Sequence, residues 1–179
     1  MKDLVYIDHP ILAIYPNVRG FGYAIFPELH MLKEAGVATI KLREADKYIE
    51  RILGMIDVYH PSVILLPTPD GKYNRKRERI KALLEKIRYV AKVNDIVVKA
   101  YSREQIREVF ESFNVYSKVQ IAEKICRWFP ELSERCPSKR EAYMAEDFSQ
   151  GLFDAISLVM TYNADQLKKD NEARQQRLF

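Results

Sequence analysis

Apolar positions change period along this chain, and each change marks an element. Two short apolar runs, residues 11–14 and 23–26, flank a stretch holding Pro16, Asn17, Gly20 and Gly22. Glycine adopts turn conformations that other residues resist, so the pattern predicts a β-hairpin. Residues 36–42, Gly-Val-Ala-Thr-Ile-Lys-Leu, are β-branched enough to predict a third strand. Over residues 45–60 the period switches. Tyr48, Ile49, Ile52, Leu53, Ile56 and Tyr59 recur at helical spacing, and Pro61 ends the run. Residues 62–66, Ser-Val-Ile-Leu-Leu, are continuously apolar between prolines, as suits a strand buried on both faces inside a sheet. Ile80, Leu83, Leu84, Ile87, Val90 and Ala91 then mark a long helix with a basic outer face, and Asp95 opens a fifth strand over 96–101. Two strands joined by such a helix predict a parallel βαβ unit.

The remainder reads as helical. Ser102 is a candidate N-cap for a helix over 103–113, with Gln105 completing a capping box. Ser117 starts another, carrying Val119, Ile121, Ala122, Ile125, Trp128 and Phe129 and stopped by Pro130. Residues 130–140 read as a loop. A last helix runs from about Ser149 into a polar segment over 165–177, whose charges predict exposure or fraying. No repeat, low-complexity stretch or linker interrupts the chain. The expectation is one α/β domain over 1–179, with 164–179 as a polar helical or frayed tail.

Composition narrows the class. The chain has 179 residues, 47% hydrophobic and 30% charged, the balance of a globular protein. No apolar run reaches the roughly 18 residues of a membrane span. The N-terminal segment carries acids where a signal peptide needs an apolar stretch. Cys126 and Cys136 lack the number and spacing of a zinc site or disulfide framework, so reduced thiols and a cytoplasmic location are expected. A net charge of +4 permits nucleic acid as a partner without demanding it.

Four segments in order carry a family resemblance. The first is the hairpin over 10–26. The second is Tyr101-Ser-Arg-Glu-Gln-Ile-Arg107. The third joins Lys118-Val-Gln-Ile-Ala122 to Arg127-Trp-Phe-Pro-Glu-Leu132. The fourth is Ala145-Glu-Asp-Phe-Ser-Gln-Gly-Leu-Phe-Asp-Ala-Ile-Ser-Leu158. Together they resemble the RuvC-like branch, the Holliday junction resolvases, of the ribonuclease H-like superfamily. The resemblance implies a five-stranded mixed sheet, three antiparallel strands plus two parallel ones, flanked by helices. It also implies two-fold dimers acting on four-way DNA junctions in recombination and repair. Cleavage in that family uses two Mg²⁺ or Mn²⁺ ions, which activate water and stabilise the leaving oxygen.

Such ions need closely spaced carboxylates. The family draws them from the ends of the first and fourth strands and from the last helix. Here Tyr15 stands at the first position, and Leu66-Pro67-Thr68 replaces the acids at the second. On the last helix Asp154 is retained, with Glu146 and Asp147 before it. Asp154 sits in an apolar context and needs a partner there, as a vestigial acid held by hydrogen bonds or as a ligand. Glu146 and Asp147 also suit a helix start, where acids are favoured. A displaced site built from Asp70, Asp147 and Asp154 would restore three carboxylates.

A basic cluster follows the fourth strand, with Lys72, Arg75, Lys76, Arg77, Arg79 and Lys81 around Tyr73. Lys139 and Arg140 form a second, smaller group. Cations that neutralise phosphates give sequence-independent, salt-sensitive affinity. Three readings therefore stand. The favoured one is a catalytically degenerate resolvase homologue that binds branched or duplex nucleic acid as a homodimer, with no cofactor. The others are an active Mg²⁺- or Mn²⁺-dependent nuclease with displaced ligands, and an interaction scaffold without nucleic-acid binding.

Overall fold

The computed structural model describes residues 10–69, 75–137 and 149–176. Five strands form one sheet: β1 (Ile11–Asn17), β2 (Gly20–Phe26), β3 (Glu34–Thr39), β4 (Val63–Pro67) and β5 (Val97–Tyr101), in the order β3-β2-β1-β4-β5. β1 to β3 pair antiparallel, whereas β4 runs parallel to β1 and β5 parallel to β4. The helices are α1 (Ala45–Tyr59), α2 (Arg75–Val93), α3 (Arg103–Glu111), α4 (Lys118–Trp128) and α5 (Gln150–Gln176).

The period-2 alternation of the strands divides the core in two. Leu12 and Ile14 of β1 and Ile64 and Leu66 of β4 pack with Tyr48, Ile52, Leu84 and Ile87 of α1 and α2. Ile11, Ala13, Val63 and Leu65 point the other way, into α3, α4 and α5. β4 is buried along its whole length between β1 and β5, as its unbroken apolar run predicts. The parallel β4-α2-β5 crossover is present as expected.

Three boundaries differ from the sequence reading. The hairpin turn is only Val18-Arg19, because Asn17 pairs with Gly20 and its Oδ1 accepts the Arg19 N–H at 2.8 Å. Pro16 and Asn17 therefore lie in β1. Strand β3 starts at Glu34 rather than Gly36, because Glu34 pairs with Ile25 and its carboxylate accepts the hydroxyls of Tyr23 and Tyr59. Residues 130–135 are a 3-10 helix (Pro130–Arg135) rather than loop, and Arg135 donates to the Ala35 carbonyl of β3 at 2.8 Å. The polar end of α5 is helical to Gln176 and exposed over 167–175, with an Asp165–Lys169 ion pair at 2.9 Å.

Helix α5 seats directly on the hairpin. A Cβ added at Gly22 of β2 would lie 1.7 Å from the Gly151 carbonyl oxygen. Only a residue without a side chain lets the first turn of α5 come that close to the sheet. This contact sets where the rest of α5, including Asp154, stands over the strands.

The Tyr59 hydroxyl first, then that of Tyr23, holds the Glu34 carboxyl below its ordinary range. A depressed folded pKa contributes stability above the unfolded value of about 4.3, and that contribution fades as pH falls through the folded value. Glu34→Ala is expected to cost about 1 kcal/mol at neutral pH, after discounting for its partial exposure. Urea titrations should show the gap between native and variant narrowing as pH falls below the unfolded carboxyl value. A gap that does not narrow there would refute the carboxylate–tyrosine account.

Candidate functional site

The C-terminal ends of the parallel strands carry the candidate chemistry. Tyr15 of β1 pairs with Gly22, and Pro67 of β4 pairs with Tyr101 of β5. Beyond Pro67, the Thr68 N–H donates to the Tyr101 carbonyl at 2.9 Å, holding the chain in extended form past the strand end.

Two helix starts meet this edge, each fixed by a full capping box. At α3 the Gln105 N–H donates to Ser102 Oγ at 3.2 Å, and the Ser102 N–H donates back to Gln105 Oε1 at 2.8 Å. At α4 the Gln120 N–H donates to Ser117 Oγ at 3.2 Å, and Gln120 Oε1 accepts the N–H groups of Tyr116 and Ser117. The caps place Arg103 and Lys118 at the first positions of their helices, with Arg107 one turn further along the Arg103 face.

These side chains line a cavity of about 170 Å³ together with Tyr15, Ile106, Tyr116, Ser117, Ile121, Asp154 and Ser157. A second cavity of about 180 Å³ holds Pro16, Pro67, Thr68, Pro69 and Arg77, and shares Tyr15 and Arg103 with the first. The two are thus neighbours along one cleft at the strand ends. Asp154 is largely buried, its side chain 16% exposed. Its Oδ2 accepts from Lys118 Nζ at 3.4 Å and its Oδ1 from the Gln150 amide at 3.2 Å. The acid thus has a basic partner, as its apolar surroundings require.

The sequence candidates divide accordingly. Tyr15, Pro67, Asp154 and Arg77 come together in the cleft. Arg79 points away, into a groove beside Val18, Lys41, Leu42 and Arg43. Arg75 and Lys76 begin α2, but their side chains lie outside the described residues, as do Asp70, Lys72, Tyr73, Lys139, Arg140, Glu146 and Asp147. Arg103, Arg107 and Lys118 are not among the sequence candidates. Their mark is nevertheless in the chain: Arg103 and Arg107 stand i, i+4 behind a capping serine, and Lys118 directly follows another.

A two-metal centre needs several carboxylates around one point. Among the described residues, no group of three His, Cys, Asp or Glu side chains gathers. The strand ends bring a phenol and a proline, and Asp154 is paired with an ammonium group. The described donor set does not fit the metal ions that the resemblance implies.

No protein-family model matches the chain. No curated protein matches it either. Solved structures do. RuvC of Thermus thermophilus, solved in complex with a Holliday junction, aligns with a TM-score of 0.61 at 16% identity, covering 85% of this chain and 91% of that one. The yeast mitochondrial Holliday junction resolvase aligns with a TM-score of 0.63 at 14% identity, covering 97% of this chain and 88% of that one. The backbone thus superimposes over most of both lengths. The chain has the RuvC-like form of the ribonuclease H-like fold, with basic and aromatic side chains where the strand ends meet the helices.

Proposed function

We propose that the chain is a catalytically degenerate resolvase homologue, a single ribonuclease H-like domain that binds branched or duplex nucleic acid without cleaving it. One observation carries the reading. The cleft at the strand ends is lined by Arg77, Arg103, Arg107 and Lys118, against Asp154 as the one carboxylate among its described lining residues. Cations at the first positions of α3 and α4 oppose the helix dipoles, a cost that a bound phosphate removes. The resolvases with this fold supply the substrate class, since one was solved on a Holliday junction. No described helix is long and apolar enough to cross a membrane. By the same resemblance, the working form is a homodimer.

The experiment is a binding and cleavage assay on four-way junction and duplex DNA in Mg²⁺ and Mn²⁺. Expected are retarded complexes that weaken steeply with salt, and intact strands after prolonged incubation. Robust cleavage abolished by Asp154→Asn would overturn the reading and promote the displaced site of Asp70, Asp147 and Asp154. Absence of any complex at low salt would favour the scaffold reading.

A further inference from the structure

We infer that the cavity between α3, α4 and α5 is a seat for a terminal phosphate, the phosphomonoester end of a nucleic-acid strand, held by Arg103, Arg107 and Lys118 without a metal ion. The inference rests on the nucleic-acid reading and deepens it by naming the strand feature recognised.

The donor set is the first argument. Arg103, Arg107 and Lys118 line the cavity together with Tyr116, Ser117 and Asp154, and Lys118 Nζ also donates to Asp154. An internal diester brings a single charge and two free oxygens. A terminal phosphate brings roughly −1.5 to −2 charges and three strong acceptor oxygens. Guanidinium groups bind such oxygens in pairs, so the two arginines, with the Lys118–Asp154 pair beside them, match the end group better than the internal link.

Placement is the second argument. Tyr15 and Arg103 line both this cavity and its neighbour, which contains Arg77. A strand ending in the first cavity would pass Tyr15 and set its next phosphate near Arg77. The Tyr15 ring then offers the terminal base a face to stack on. This gives the residue at the lost acid position a role in holding a base.

The test compares short single strands carrying a phosphate at the 5′ end, at the 3′ end or at neither, by fluorescence anisotropy in EDTA. One phosphorylated form should bind about tenfold or more tightly than the unmodified strand. Arg107→Gln should erase that preference, and Arg107→Lys should keep part of it. Arg107 lies on an exposed helix face, so folding should survive, and circular dichroism checks this. Equal affinity for all three strands overturns the inference and leaves the nucleic-acid reading standing. If no strand or junction binds, thermal shift with thymidine 5′-monophosphate separates the two ideas. An Arg107-dependent rise in Tm would keep the phosphate seat and sink the nucleic-acid reading. The absence of any rise would sink both.

Discussion

Gly22→Ala is expected to destabilise the protein by roughly 3 kcal/mol, the upper end of the overpacking range. The added Cβ would stand 1.7 Å from the Gly151 carbonyl oxygen and 2.0 Å from its carbon, both backbone atoms of α5. No rotamer change relieves such an overlap. Either α5 lifts from the sheet or β2 bends, and both moves disturb the core around Leu152, Phe153 and Ile156. For a chain of this size that cost corresponds to a fall in Tm of about 6–12 °C. The reciprocal change gives the control. A Cβ at Gly151 would meet Asn17 Nδ2 at 3.1 Å and Gly22 N at 3.3 Å, approaches that small shifts accommodate. Gly151→Ala should therefore cost much less, about 1 kcal/mol or under, aided by the better helix propensity of alanine. Equal losses in the two variants, measured by chemical denaturation, would contradict the close seat of α5 on β2. Because the same seat positions Asp154, Gly22→Ala should also weaken nucleic-acid binding in whatever fraction remains folded.

Replacing Arg103, Arg107 and Lys118 together by glutamine is expected to have the largest effect on binding. Each duplex phosphate that the protein ceases to neutralise flattens the slope of log affinity against log salt by roughly 0.9, so losing the one phosphate that the three cations share should flatten it by about 0.9. Replacing Arg103 and Arg107 should leave stability unchanged or slightly raised, because cations near a helix start oppose its dipole, whereas Lys118→Gln strips Asp154 of its ammonium partner and should cost stability. At the two arginines, that opposition between binding and stability marks a residue kept for a ligand. Serine at Arg79, which faces the groove beside Lys41 and Arg43, should change the slope little, because that groove is separate from the strand ends. A slope that survives the triple substitution but collapses on Arg79→Ser would move the interface to the hairpin side of the molecule.

The two results depend on different kinds of information. The change from alternating to helical periodicity places each strand and helix to within a few residues, because burial on a sheet and burial on a helix demand different spacings. The unbroken run over 62–66 likewise announces a strand covered on both faces, which β4 is. Boundaries are less legible where a side chain decides them. Glu34 extends β3 because two tyrosines from elsewhere in the chain meet its carboxylate, and no local pattern encodes that meeting. The 3-10 turn at Pro130–Arg135 depends in the same way on Arg135 reaching the backbone of β3.

At the site, the sequence alone shows which residues stand where the family resemblance sets strand acids. Tyr15 and Pro67 are visible in the chain as written, and neither side chain is a carboxylate. It also established that Asp154 needs a partner, since an acid in so apolar a helix is costly unpaired. Which partner, and which cations share the cleft, only the tertiary structure decided. Lys118 lies 36 residues before Asp154, and Arg103 lies 88 residues after Tyr15. They converge because parallel strands end on the same edge and the helices that follow begin there. The basic run after β4 stands out in the sequence because its charges are adjacent, yet an α-helix turns adjacent residues to different sides: Arg77 enters the cleft and Arg79 leaves it. Sequence proximity follows the backbone, whereas a binding site follows the sheet edge.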